Sequence, residues 1–175
     1  MIICAGNNET FDFALPVGVG LVDAAINLTR LIIEKRPSAL LFVGSAGSYG
    51  SYKPFDIIST SAAGNVELSL ITGSAYTPID NTIYHGDVSR ETSIMINSSN
   101  YITTDMEVAT EYQKLGFELE NMEFFSILKV AENFEIPASG IFIVTNYCDE
   151  NAHEDFLKNH EQAKALLSEY IKENY

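Results

Sequence analysis

Three places in this chain put chemically capable residues directly after a short apolar run. Residues 1–5 end at Gly6 and lead into Asn7, Asn8 and Glu9. Residues 39–43 end at Gly44 and lead into Ser45, Ala46 and Gly47, and residues 141–144 lead into Thr145 and Asn146. The first group offers two amides and a carboxylate. The second is small enough for backbone N–H groups to approach an anion or a sugar closely. The third supplies an amide, which both donates and accepts. Together they describe a polar pocket for a small molecule. The spacing of Cys, His, Asp and Glu suggests no metal cluster and no Ser/His/Asp trio, so no metal is expected.

These groups meet only if the runs are neighbouring strands. Continuous apolar runs stopped by Gly or Asn suit strands covered on both faces, as in a parallel sheet. Ligands of such sheets bind beyond the carboxyl ends of the strands. Between the first two runs, Val22, Ile26, Ile33 and their neighbours repeat at helical spacing over 21–35, before Pro37 ends the pattern. Strand, helix, strand in that order predicts an α/β fold: one mostly parallel, twisted central sheet flanked by helices in three layers. Two more helices are predicted. One covers 121–134, with Met122, Phe125, Leu128 and Ala131; the other covers roughly 153–173, with Phe156, Ala163, Leu167, Tyr170 and Ile171. Residues 73–92 are rich in turn formers and read as a long loop, a candidate lid. Without repeats or linkers, residues 1–175 read as a single domain.

Composition narrows the partners. Of 175 residues 46% are apolar, enough for one sizeable core. Ten Lys and Arg against 24 Asp and Glu give a net charge of −14, which repels nucleic-acid phosphates and anionic lipid. No nucleic-acid or membrane partner is expected. A small anion remains compatible, because a few amides bind one locally. Cys4 and Cys148 form no disulfide framework, the first residues lack the basic start of a signal peptide, and no apolar run approaches the roughly 20 residues of a bilayer span. The reading is a reduced, cytoplasmic protein.

Several blocks, in order, resemble the nucleoside phosphorylases and their relatives, the methylthioadenosine/S-adenosylhomocysteine nucleosidases. Pro16–Gly20 is similar to the family's Gly-x-Gly turn into a helix. Val43–Gly47 is similar to its Gly-Ser-Ala-Gly loop, and Lys53–Ile58 to the strand that follows. Met122-Glu123, opening a helix that runs through Phe134, resembles the ribose-binding Met-Glu helix. Val144-Thr145-Asn146 stands where most relatives carry Ser-Asp, and Glu154–Leu157 completes the series. The segment between Glu9 and Gly18 is shorter than the family's hairpin there.

The resemblance implies cleavage of the bond between ribose C1′ and a base nitrogen. Glu123 would accept hydrogen bonds from the ribose 2′- and 3′-hydroxyls and favour the developing sugar cation, with Met122 packed on the sugar. Taken alone, Met122 also fits a core stripe and Glu123 a first-turn acid. Asn146 would face the purine, and its carboxamide matches a 6-oxopurine. Tyr101 would stack on the base, beside the Ile102 backbone. Ser45, Ala46 and Gly47 match the anion or water loop, with Gly6 retained from the first strand. Two arginines that clamp phosphate in the phosphorylases are replaced by Phe42 and Thr10, with Arg90 a candidate substitute. Glu9 aligns with the acid that polarises water in the nucleosidases.

The expectation leans to a purine nucleoside phosphorylase with phosphate as co-substrate and no cofactor. A water-using nucleosidase and a nucleoside-binding relative without turnover are the alternatives. A homodimer or larger homo-oligomer is expected. His85, His153 and His160 fall outside the matching blocks and read as surface residues. Glu154 and Asp155 read as acids at a helix N-terminus.

Overall fold

A computed structural model describes every residue except Asp87, Val88, Arg90 and Thr92; the candidate Arg90 therefore lies outside the described residues. The apolar runs become the central strands. They are β1 (Ile2–Cys4), β3 (Leu40–Ser48) and β9 (Ala138–Tyr147), the last two longer than the runs themselves. The remaining strands are β2 (Leu15–Pro16), β4 (Ile57–Thr60), β5 (Ala62–Gly64), β6 (Thr82–Tyr84), β7 (Met95–Ser98) and β8 (Phe117–Asn121). The helices are α1 (Leu21–Lys35), α2 (Leu68–Ile71), α3 (Met106–Lys114), α4 (Phe124–Asn133) and α5 (Ala152–Asn174).

Among the described residues, the nine strands form one mixed, mostly parallel sheet organised around β3. One edge of β3 pairs with β1, parallel, along its first half and with β8, antiparallel, at its end. Its other edge runs parallel to β9 throughout. Beyond β8 the sheet continues through β7 and β5 to β6, and β4 closes the far side of β9. The expected single-domain α/β architecture is what forms.

Alternation along β3 and β9 explains the three layers. Phe42, Phe142 and Val144 point to one face, into a core with Ala24, Leu28 and Ile32 of α1 and Phe124, Ile127, Leu128 and Ala131 of α4. Leu41, Val43, Ile141 and Ile143 point to the other face, where α5 delivers Ala163, Leu167 and Ile171. Both faces of the strands are covered, so continuous apolar runs are required. A third cluster, including Tyr49, Tyr112 and Phe117, lies under α3.

Three expectations are corrected. Helix α1 turns Ala24, Leu28 and Ile32 inward at i, i+4 spacing and leaves Val22, Ile26 and Ile33 exposed. The helix expected from residue 121 starts at Phe124, because Phe117–Asn121 is claimed by β8 in the middle of the sheet. The loop at 73–92 contains β6, paired antiparallel with β5.

Candidate functional site

Beyond the carboxyl ends of β1, β3 and β9 lies a cavity of about 280 Å³. Gly6, Glu9, Ser45, Ala46, Gly47, Tyr101, Ile102, Met122, Glu123 and Asn146 all line it, so these ten candidates share one space.

Glu9 reaches the cavity through a tight turn. Gly6 and Glu9 exchange backbone hydrogen bonds, 2.9 Å from Glu9 N to Gly6 O, with Asn7 in the left-handed region at φ 53°. The Glu9 carboxylate then accepts from the Ser45 hydroxyl and, at 3.3 Å, from Ser45 N. Gly44 makes room for this, since a Cβ there would lie 2.9 Å from Glu9 Oε2. The turn is held from below by α5, whose His160 ring nitrogen lies 2.9 Å from Asn8 O while the ring packs on Phe156. His160 is thus buried, which corrects the surface reading. His85 is half-buried with a ring nitrogen 2.9 Å from Ile136 O, and His153 is exposed but lines the cavity. Glu154 and Asp155 occupy the first turn of α5, where acids complement the helix dipole.

Glu123 precedes the first turn of α4 and is 5% exposed. Its Oε1 accepts from Gly20 N at the start of α1 (2.9 Å), and its Oε2 from Asn121 Nδ2 and Met122 N (each 3.2 Å). The glycine turn before α1 therefore presents a backbone donor to the carboxylate. Burial raises the Glu123 pKa to about 7, with the nearby Glu9 carboxylate adding to the rise; the Gly20 and Met122 N–H groups work against it.

Asn146 owes its place to a β-bulge. Ala46 pairs with Val144 but Gly47 pairs with Asn146, so Thr145 is the extra residue and the chain beyond it is re-aimed. Asn146 Oδ1 accepts from the Thr145 hydroxyl (2.8 Å), and its Nδ2 donates to Tyr147 O (2.9 Å). Tyr101 and Ile102 stand at the rim, largely exposed. Their segment is tied to α1 by Asn100 Oδ1, which accepts from Leu21 N at 2.9 Å.

Sequence reasoning placed neither Glu120, Asn121, His153 and Phe156 nor the small apolar Ala5, Val19 and Ala152 at the site. Glu120 and Asn121 carry no outward signal, because polar residues in a short segment read as exposed. Among the described residues no group of three or more His, Cys, Asp or Glu is arranged to hold a metal ion, and no helix is long and apolar enough to cross a membrane.

A carboxylate beside a hydroxyl, a second buried carboxylate and an amide around one cavity suit a polar, uncharged or cationic transition state. Comparisons with known proteins agree with this arrangement at the level of fold. The chain matches no curated protein. A mutant futalosine hydrolase of Helicobacter pylori strain 26695 superposes with a TM-score of 0.78, covering 98% of this chain and 95% of that one at 17% identity. The methylthioadenosine/S-adenosylhomocysteine nucleosidase of Neisseria meningitidis, in complex with methylthio-immucillin-A, gives 0.77 over 97% and 95% at 17% identity. The nucleosidase of Colwellia psychrerythraea 34H, in complex with adenine, gives 0.76 over 95% and 90% at 18% identity. The phosphorylase-superfamily profile matches residues 82–173, which are 92 of the 175 and run from β6 through the Met122-Glu123 helix to α5. With the strand-end cavity, the shared fold and a profile match over more than half its length, this chain belongs to the phosphorylase superfamily.

Proposed function

We propose that this protein cleaves the N-ribosidic bond of purine nucleosides with water as the nucleophile. The observation that carries the reading is Glu9, whose carboxylate is fixed by Ser45 on the wall it shares with Glu123. Among the described lining residues there is no Lys or Arg to neutralise a phosphate dianion. That, with two carboxylates facing the same space, favours water over the phosphate to which the sequence leans. The hydrolases with the same fold support this choice of acceptor.

In this reading Glu123 accepts hydrogen bonds from the ribose 2′- and 3′-hydroxyls. Those donors favour its ionised form, and the negative charge stabilises the sugar as it becomes cationic. Met122 packs on the sugar. Glu9 takes a proton from the attacking water, which adds to C1′ as the electron pair of the C1′–N bond passes to the purine. Tyr101 stacks on the base beside the Ile102 backbone, Asn146 reads its edge with a preference for 6-oxopurines, and Gly6, Ala46 and Gly47 hold the water side with Ser45. The expected homodimer or larger assembly has a candidate face along α1, where Val22, Ile26 and Ile33 stand exposed.

Inosine, guanosine, adenosine and 5′-methylthioadenosine, each with and without phosphate, provide the test. Base release without phosphate supports hydrolysis. Release only with phosphate replaces it by phosphorolysis, and binding without release leaves a nucleoside-binding protein.

A further inference from the structure

Departure of a purine from ribose leaves negative charge on the base, and protonation of a ring nitrogen offsets it. The carboxamide of Asn146 has no proton to give away. The cavity holds a third carboxyl group that the mechanism above does not use. Glu120 lies on β8, between β3 and β7, and is 6% exposed. In the β3–β8 pairing it stands opposite Gly47. A Cβ added to Gly47 would meet Asn146 Nδ2 at 3.2 Å, Glu120 Cγ at 3.3 Å and Cys148 Sγ at 3.0 Å. The three side chains therefore converge on one point at the base end of the cavity.

Its oxygens are held by two fixed donors. Thr103 N donates to Oε1 at 3.0 Å, directly after the Tyr101-Ile102 rim, and the Tyr49 hydroxyl donates to Oε2 at 3.0 Å. Glu9 belongs to the water side and Glu123 to the sugar side, so Glu120 is the carboxyl group on the base side among the described lining residues.

We propose that Glu120 is the acid that protonates the departing purine, a role that rests on the nucleosidase reading above. The C1′–N bond breaks with its electron pair going to the base, and the Glu120 carboxyl proton passes to a ring nitrogen of that base. Water adds to C1′ and gives its proton to Glu9. Glu120 is left ionised and Glu9 neutral, and one proton returned through solvent restores both.

Burial favours the neutral acid needed at the start, while donors from Thr103, Tyr49 and Cys148 work in the opposite direction. The titratable groups facing it are Tyr49 at the end of β3, Tyr112 on α3 and Cys148 after β9, all kept neutral by burial.

The test compares two leaving groups in the whole protein. Glu120→Gln should slow release of hypoxanthine from inosine by about 100-fold or more, the usual contribution of a general acid. The same variant should lose far less, under about 10-fold, on p-nitrophenyl β-riboside, because nitrophenolate leaves without a proton. Equal losses on both substrates would mean that Glu120 only supports the structure, and the assignment would be overturned. Should Glu120→Gln fail to fold, Tyr49→Phe takes its place. Removing that donor makes Glu120 a weaker acid, so the alkaline limb of inosine cleavage should move to higher pH; an unmoved limb overturns the assignment. A parent protein that cleaves neither substrate overturns the nucleosidase reading and this assignment with it. Parent activity with equal losses overturns this assignment alone.

Discussion

Glu123 makes the stability of this protein depend on pH in a way that a single substitution isolates. The folded chain raises this carboxyl from an ordinary 4.5 to about 7, chiefly through burial. The folded state therefore keeps the proton at pH values where the unfolded chain has lost it. The stabilisation associated with the neutral form is complete below pH 4.5 and is lost as pH rises to about 7. At about 1.36 kcal/mol per pH unit, ionising Glu123 in the folded chain costs about 3 kcal/mol. With Glu123 only 5% exposed, solvent screening removes little of this. Glu123→Gln keeps the shape and cannot ionise. Its stability relative to the parent, measured by urea unfolding, should rise by about 2–3 kcal/mol between pH 5 and pH 8. In thermal melts the gap between the two should widen by roughly 5–10 °C over the same range. The constant loss of acceptor strength toward Gly20 N and Met122 N cancels in this pH difference. A gap that does not change with pH would refute the argument.

Two further outcomes follow from the water side of the site. Gly44→Ala places a methyl 2.9 Å from Glu9 Oε2 and 3.1 Å from the Phe42 ring, so Glu9 must leave Ser45. Cleavage should fall by about 10–100-fold while the protein stays folded, and unchanged turnover would remove Glu9 from the mechanism. His160→Ala removes the partner of Asn8 O and the ring that packs on Phe156. It should cost about 1–3 kcal/mol in unfolding experiments and lower activity, because the freed turn carries Glu9. Full activity in that variant would show that the turn stands without α5.

The elements that the sequence reveals are those buried on both faces. β1, β3 and β9 carry continuous apolar runs because α1 and α4 cover one side and α5 the other. The rest of the sheet is harder to see. β5 is Ala62-Ala63-Gly64 and β7 is Met95–Ser98, short and without alternation. β8 places Glu118, Glu120 and Asn121 in a strand between two others, and such charged residues read as exposed. Glu120 is satisfied there by Tyr49 and Thr103, partners far away in the chain, and no local pattern announces them. On α1, apolar residues occur on both the inward and outward sides, so periodicity marks the helix correctly but selects Val22, Ile26 and Ile33 in place of Ala24, Leu28 and Ile32. The lining of the cavity is easier to find, because Gly44–Gly47 and Thr145-Asn146 lie toward the ends of long strands, and strand ends in such sheets converge.

The contact between His160 and the carbonyl of Asn8 spans 152 positions. The Gly6–Glu9 turn is made well before the helix that braces it. Until α5 docks, the turn and the Glu9 carboxylate it carries lack that brace. Ordering of this wall of the cavity is then a late event, set by the docking of α5.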